Sequence, residues 1–467
     1  MNSPDFAAAY ARPRSGGRFI LISRARLKIV VFALIYFAAF GTTYVAYVYD
    51  SFVGDLGFGY VDWSEADVLL VASLAIVPSL WLPVTFDRLS AVFIYFQYFF
   101  IYVPAIWMTR HSILPLLSTV DQTILCVALP VSFGILLWSH HRLPLLQIPN
   151  IRVDGRRMWM IIYAIAGLLL IVLIAGLGGN FRLVGLDEIY SLRDSASDAI
   201  EASGSTLLRY AFPWLNGLLL PMIYARAAQK SNYAMILAVV ICYGFLFGIW
   251  GSKTSLFGPV ILFAASVWTS SGTSRMPLLM ITGLIGALIV PALLPFDSGI
   301  GSVIKLAWIS VVNMRTFSVP GMAIVQYYDF FSTHPWTLGS QITGLNWFLD
   351  YPYDSNIPLT LGYYYYGTLI TANANFWAQD GLASFGVLGL GATSIVAAFV
   401  FWILDSVTRR LSVKFLIPAL VGILISVANA SLFTTLATGG LGFFILACIF
   451  MPREDSQGFV SEVRTAR

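Results

Sequence analysis

The residues best suited to acid–base chemistry lie in one long segment at about 296–382. It contains His334, one of four histidines in the chain, and Asp329 five positions earlier. Histidine has an unperturbed pKa of about 6.5, which makes it the readiest proton acceptor at neutral pH. We therefore take His334 and Asp329 as the candidate catalytic residues. The alternative for His334 is a structural hydrogen-bonding role.

Four basic residues are candidates for binding an anion: Arg193, Arg209, Arg315 and Lys253. Arginine matches phosphate oxygens bidentately, and lysine offers a point charge to the same ligand. If several of them converge at the level of the lipid head groups, they would bind a lipid-linked diphosphate. The alternatives are an ordinary ion pair, as for Arg193 beside Asp194, or a membrane anchor, as for Lys253.

Aromatic and amide side chains near these residues predict a glycan-binding surface. Aromatic rings offer flat apolar faces, and amides and carboxylates hydrogen-bond hydroxyls. Trp and Tyr are also typical of a membrane–water interface, but an interface does not require the amides. The candidate glycan-binding residues are Tyr190, Tyr327, Tyr328, Trp336, Asn373, Asn375, Trp377 and Asp380. The sequence has no His-Glu-x-x-His, Cys-x-x-Cys or serine-elbow pattern, so we expect no metal and no cofactor.

The elements that position these residues must be membrane helices. Hydrophobic residues make up 58% of the 467-residue chain and charged residues 11%, whereas a globular domain has about 25% charged residues. Too few charges are present to cover a soluble surface. The three cysteines, Cys126, Cys242 and Cys448, all lie in apolar runs. This composition excludes a soluble enzyme, a nucleic-acid-binding protein and a secreted disulfide scaffold.

Long apolar runs predict an all-α polytopic membrane protein. A helix needs about 20 apolar residues to span a bilayer, and the chain has about 12 such runs, or 11–13 depending on how the last two are drawn. They form one integral membrane domain over residues 1–467. The runs are 27–49, 68–86, 89–109, 123–139, 158–178, 207–225, 233–250, 254–270, 277–295, 383–404, 415–430 and 432–451.

The distribution of Lys and Arg predicts the orientation. With the N-terminus inside, 20 of the 27 basic residues fall on inner segments, and positive residues are favoured in the cytoplasm. Both termini are therefore expected to be cytoplasmic, with tails at 1–26 and 452–467. The two longest outer loops are 179–206 and 296–382, and they hold most of the candidate site residues. We expect the second to fold on the membrane surface, with a short interfacial helix at 303–312.

Ionisable residues are nearly absent from the middle of the twelve runs. A proton- or ion-coupled transporter usually places Asp, Glu, His or Arg at the bilayer midplane. Here the charges lie in the outer loops instead. This pattern favours an active site at the outer interface over a translocation path.

Several segments between about 180 and 390 resemble the oligosaccharide repeat unit polymerases, also called O-antigen or Wzy-type polymerases. The matching segments are 188–193, 251–254, 315–321, 327–330, 373–380 and 385–386. Members of this family have arginine-bearing third and fifth outer loops, and some show an Arg-x10-Gly spacing. Arg193 and Gly204 have that spacing, whereas Gln326 stands where Arg315 would need a glycine.

The resemblance implies a membrane glycosyltransferase with a GT-C-like polymerase or ligase architecture and one large folded outer loop. The reaction would polymerise undecaprenyl-diphosphate-linked oligosaccharide repeat units at the outer face of the bacterial inner membrane. The product would be an O-antigen, a capsule or an exopolysaccharide. The implied partners are the lipid-linked oligosaccharide, membrane lipid, a chain-length regulator and a flippase, with no nucleic acid.

Two other functions stay open from the sequence. An O-antigen ligase would use the same lipid-linked donor and similar residues. A 12-helix flippase or transporter of lipid-linked oligosaccharide belongs to a different class. Such a transporter commonly shows related halves and a long cytoplasmic link after its sixth helix, and this chain has neither feature.

Overall fold

The computed structural model describes residues 23–114, 116–148, 154–182, 184–185, 188–294, 298–342, 344–368, 371–372 and 374–451. All regular elements in this part of the chain are helical, and it contains no strand. The helices are α1 (Arg24–Phe52), α2 (65–81), α3 (Leu89–His111), α4 (Thr119–Arg142), α5 (Gly155–Asn180), α6 (Ile189–Ser203), α7 (206–229), α8 (Tyr233–Trp250), α9 (Lys253–Ser270), α10 (Met276–Leu293), α11 (299–331), α12 (Ile357–Tyr366), α13 (Phe376–Thr408), α14 (Val413–Asn429), α15 (Leu432–Ala437) and α16 (Leu441–Phe450). The all-α prediction is therefore confirmed for the described residues.

Seven of these helices are long and apolar enough to cross a membrane: α1, α3, α4, α5, α8, α10 and α13. The helices α14 and α16 are apolar but shorter. This is the pattern of a multi-pass membrane protein. The twelve predicted runs lie mainly on helices. In the run 68–86 the helix ends at residue 81, and residues 438–440 separate two helices within the run 432–451. The total of twelve spans stays a prediction.

The helix α11 differs from the sequence prediction. A short interfacial helix was expected at 303–312, but the helix extends over residues 299–331. Its second half is buried against α3, where Gly321 packs on the backbone of Pro104 and Ala105. The charges of Lys305, Arg315 and Asp329 lower the mean hydropathy of this stretch, so its apolar face was not recognised as part of the bundle.

The helix α13 contains a reversal. Its backbone leaves helical geometry at Phe385 and Gly386, where Gly386 has φ +55°. Residues 376–384 therefore fold back beside the residues that follow the turn, so that Gly389 packs on the carbonyl of Gly381. The indole Nε1 of Trp377 donates to Ser394 Oγ at 2.7 Å across this hairpin. We call residues 376–394 the helical hairpin.

The connections define two ends of the helix bundle. At one end, residues 112–118 join α3 to α4; we call it the tyrosine end, after the side chains described below. At the other, Asp405 of α13 accepts hydrogen bonds from the backbone N and Oγ of Ser90, at 2.8 and 2.6 Å. We call this the basic end.

Many basic residues flank the helix termini at the basic end. They are Arg24, Arg26, Lys28, Arg88, Arg142, Arg156, Arg157, Arg226, Lys230, Arg275, Arg409, Arg410 and Lys414. A concentration of positive residues at one end is the pattern expected of a cytoplasmic face. The predicted cytoplasmic tails at 1–26 and 452–467 lie almost wholly outside the described residues, so their placement stays a prediction.

Candidate functional site

Asp329 lies at the tyrosine end, near the C-terminus of α11. Its side chain is fully buried, and both carboxylate oxygens accept hydrogen bonds. Oδ1 accepts from the backbone N of Leu116 at 3.0 Å, and Oδ2 accepts from the hydroxyl of Tyr365 at 2.8 Å. Burial raises the pKa of this carboxyl above its usual value, and the bond from Tyr365 opposes part of that shift. Asp329 thus joins three separate segments of the chain.

Two further hydrogen-bonded pairs surround Asp329. The hydroxyl of Tyr328 donates to Oδ1 of Asp121 at 3.1 Å, at the start of α4. The amide Nε2 of Gln326 donates to the hydroxyl of Tyr366 at 2.7 Å. Burial, with the contact to Asp121, raises the pKa of Tyr328 to about 12, so its hydroxyl keeps its proton at neutral pH.

His334 lies one turn beyond the end of α11 and is partly buried. Its ring stacks on Phe330 with centroids 3.9 Å apart, and Tyr364 meets it edge-on at 5.3 Å. Nδ1 lies 2.8 Å from the carbonyl oxygen of Phe330. Because a carbonyl only accepts, we assign the proton of the neutral ring to Nδ1. Nε2 then carries the lone pair and is the atom able to take a proton from a substrate.

The helical hairpin and the residue before it hold three of the predicted glycan-binding residues in the interior. Trp377 and Asn375 are fully buried, and Asp380 is 3% exposed. Asn375 donates to the carbonyl of Pro320 at 3.1 Å, and Asp380 Oδ2 accepts from the backbone N of Leu432 at 2.5 Å. The hydrogen bonds of Asn375 and Asp380 thus connect this segment to α11 and α15. The structure therefore corrects the expectation that these side chains form a sugar-stacking surface.

The remaining predicted glycan-binding residues have different positions. Tyr327 is fully buried, so it too does not reach a surface. Trp336 is 49% exposed at the tyrosine end and covers Gly386 of the helical hairpin. Asn373 lies outside the described residues, as does the side chain of Tyr190. Trp336 and the half-buried Tyr328 are the two described members of the set with accessible surface.

Arg193 and Lys253 lie on neighbouring elements at the tyrosine end. A Cβ on Gly251 would meet the carbonyl oxygen of Ile189 at 2.7 Å, so the start of α6 sits directly on the turn between α8 and α9. Arg193 is one helical turn after Ile189 on the same face. Its Nε is buried and has no hydrogen-bond partner among the described residues. Lys253 begins α9, whose N-terminal amides favour a negative charge.

Arg209 adds a third positive charge beside this turn. It is exposed on the first turns of α7, three positions before Phe212. Phe212 stacks on Trp250 with ring centroids 4.5 Å apart, and Trp250 is the last residue of α8. Arg193, Arg209 and Lys253 thus lie on the three helices that meet at the turn between α8 and α9, and we call them the basic rim.

A cavity of about 280 Å³ lies next to the helix segments that carry Arg209 and Lys253. It is lined mainly by apolar side chains of α7, α8, α9 and α14, and we call it the four-helix cleft. The lining residues are Phe212, Pro213, Asn216, Gly217, Pro221, Tyr243, Thr254, Gly258, Ile261, Leu262, Val421, Gly422, Ile425, Ser426 and Gly439. Lys253 directly precedes one of these residues, and Arg209 is one turn from two of them.

Asn216 is the polar centre of the cleft and was missed by the sequence analysis. Its Nδ2 donates to Thr254 Oγ1 at 3.0 Å, and its Oδ1 accepts from Ser255 at 2.9 Å. Tyr243 donates to its backbone carbonyl at 2.8 Å. A lone amide in the apolar run 207–225 was the available signal, because polar side chains within membrane segments seek partners across helices.

Arg315 does not join the basic rim. It is exposed on the segment Ile309–Ser318 of α11, which packs against α1, α3 and α10. The rim residues belong instead to α6, α7 and α9. The structure therefore groups three of the four predicted anion-binding residues and leaves Arg315 elsewhere.

The described residues include no group of three or more His, Cys, Asp or Glu that could hold a metal ion. Comparisons with protein-family models, with curated proteins and with solved structures found no match to this chain.

Proposed function

We propose that this chain is a bacterial inner-membrane glycosyltransferase that polymerises undecaprenyl-diphosphate-linked oligosaccharide repeat units at the outer face of the membrane. The observation that carries the proposal is the basic rim next to the four-helix cleft, at the same end of the bundle as His334. Such an arrangement suits a ligand with an apolar chain, a diphosphate and a sugar.

The cleft and the rim divide the binding of the donor between them. The apolar lining of α7, α9 and α14 would take part of the polyprenyl chain, since ligand clefts are mostly apolar and van der Waals packing favours such contacts within a bilayer. Arg193, Arg209 and Lys253 would hold the diphosphate by charge-assisted hydrogen bonds. The buried Nε of Arg193, which has no partner among the described residues, supports this assignment.

The residues of the tyrosine end would then promote transfer. A hydroxyl of the acceptor repeat unit attacks the anomeric carbon of the donor, and the bond from that carbon to the diphosphate oxygen breaks. His334 Nε2 takes the hydroxyl proton. The electron pair of the broken bond leaves with undecaprenyl diphosphate, whose charge the basic rim stabilises. No nucleotide and no cofactor is required.

Two further parts of the proposal concern the cell. With a GT-C-like architecture and an outer-facing tyrosine end, the reaction would take place on the periplasmic side. A flippase would supply the lipid-linked unit there, and a chain-length regulator would set the size of the product.

The test is the length of the surface glycan in a deletion strain of the source bacterium. We expect single repeat units on the surface and a return of long chains on complementation. A deletion strain with no surface glycan at all would indicate a flippase or a ligase and would contradict the proposal.

A further inference from the structure

The connection between α11 and α12 exposes large apolar side chains at the tyrosine end. Trp347 is 78% exposed and Phe348 is 82% exposed, and Leu338, Leu345 and Leu349 are exposed as well. From 330 to 349 the sequence contains no Lys, Arg, Asp or Glu. A water-facing connection of this length normally carries charged residues, and a contiguous apolar patch marks an interaction surface.

Hydrogen bonds fix this connection onto the turn of the helical hairpin. The backbone N of Thr337 donates to the carbonyl of Ala383 at 2.8 Å. Gln341 donates to Ser384 Oγ at 2.7 Å, which secures the next turn of the connection. The apolar side chains therefore project from an anchored segment.

Exposed apolar side chains also occur on the hairpin turn to which the connection is hydrogen-bonded. There Phe385 is 43% exposed, and Leu388 just beyond it is 79% exposed. Both belong to α13, one of the seven helices long and apolar enough to cross a membrane. The connection is thus attached to a helix whose own exposed side chains suit lipid.

We propose that residues 338–342 and 344–349 form an interfacial anchor, which inserts Trp347 and Phe348 into the head-group region of the bilayer beside α13. Tryptophan prefers this depth, and apolar side chains commonly reach about 5–10 Å into the boundary of head groups and acyl chains. The anchor holds the hairpin turn and the neighbouring His334 at the level of the lipid head groups. This membrane contact does not depend on the proposed glycosyl transfer.

The experiment measures the depth of spin labels in vesicles. The three native cysteines are replaced by alanine, and Trp347→Cys and Phe348→Cys are labelled separately. Asp354→Cys is the matched control, because Asp354 is exposed on the same connection but lies outside the apolar stretch. The full chain is reconstituted in vesicles of phosphatidylcholine and phosphatidylglycerol. Collisions of each label with oxygen, which concentrates in lipid, and with a water-soluble nickel chelate are then compared.

We expect the ratio of oxygen to nickel collisions to be several-fold higher at 347 and 348 than at 354. Equal ratios at all three positions would show that the connection faces water and would overturn the anchor. Labels at 347 and 348 protected from both reagents would show that protein covers them, as in a second copy of the chain, and would overturn it too. Neither readout needs glycan synthesis, so a failed anchor and a failed polymerase are distinguishable.

Discussion

His334 and Asp329 have different surroundings at the tyrosine end, although only five positions separate them in the sequence. Asp329 is fully buried, and both of its oxygens accept hydrogen bonds from the protein. The ring of His334 is held by Phe330, which leaves Nε2 for a substrate. We therefore assign proton acceptance to His334 and a positioning role to Asp329.

The substitution His334→Gln tests the base. Glutamine keeps a polar side chain of similar reach but does not accept a proton at neutral pH, so we expect kcat to fall by about 10²–10⁴-fold with little change in KM. The measurement is initial-rate kinetics of glycan elongation. His141→Gln, at the basic end, is the control and should leave the rate unchanged. An unaltered kcat in His334→Gln would show that His334 is not the general base.

The pH dependence of stability tests the buried state of Asp329. Because burial raises its pKa in the folded protein, the folded state binds this proton more tightly than the unfolded state. Its contribution to stability is full below the ordinary carboxyl pKa of about 3.9 and is lost as the pH rises through the raised value. The Tm of the wild type minus the Tm of Asp329→Asn, both measured in detergent, should therefore fall as the pH rises. A difference independent of pH would contradict the raised pKa, and Asp354→Asn serves as the exposed control.

Alanine substitutions in the basic rim test the diphosphate site. A hydrogen bond to a charged group contributes about 1.5–3 kcal/mol, so Arg193→Ala and Arg209→Ala should each lower kcat/KM for the lipid-linked donor by about 10–100-fold. Arg275→Ala, exposed at the basic end, is the control. Arg315→Ala tests whether Arg315 belongs to the diphosphate site. Because Arg315 lies apart from the basic rim, we expect its kcat/KM to match that of the control. A loss equal to that of Arg193→Ala would show that Arg315 also binds the diphosphate.

Among the elements, close contacts at glycine occur at the four-helix cleft and within the helical hairpin. Gly422 of α14 packs on the carbonyl of Gly217 in α7, and Gly389 packs on that of Gly381 within the helical hairpin. Small residues allow membrane helices to approach this closely. The crossing of α7 and α14 leaves the four-helix cleft beside it, since Gly217 and Gly422 both line that cavity.

Gly422→Ala tests this crossing. The added methyl would collide with backbone, which no side-chain rotation relieves, so we expect a loss of about 1–3 kcal/mol in stability and weaker donor binding. The measurement is thermal unfolding in detergent. Gly134→Ala is the matched control in α4, because a Cβ there meets no atom within 4 Å. Equal melting temperatures for the two variants would contradict the close crossing.

The helices were largely predictable from the sequence because the length of an apolar run depends on local composition. The second half of α11 was not, since Asp329 and Arg315 interrupt the apolar pattern while its buried face depends on α3. The reversal at Phe385–Gly386 was also missed, because a run of apolar residues looks the same whether it continues or folds back. Without the reversal, the sequence places Trp377 and Asp380 in an outer loop and therefore predicts that they lie on a surface.

For the whole molecule, the asymmetry between the two ends was predictable, whereas the contacts within the site were not. The distribution of Lys and Arg along the sequence predicts that one end of the bundle is basic. The hydrogen bonds of Asp329 join residues 116, 329 and 365, which only the packing of distant helices brings together. The sequence shows Asn216 as a lone amide in an apolar run, but only the packing identifies its side-chain partners on the neighbouring helix α9.

The central claim concerns what the chain does with a lipid-linked repeat unit, and reconstitution tests it most directly. The purified chain in vesicles is given undecaprenyl-diphosphate-linked repeat units and no nucleotide sugar, and the glycan lengths are resolved by gel electrophoresis. The account predicts a ladder of lengths, with one undecaprenyl diphosphate released for each unit added, and no ladder from Arg193→Ala combined with Arg209→Ala. Repeat units left unjoined by folded wild-type protein would contradict it.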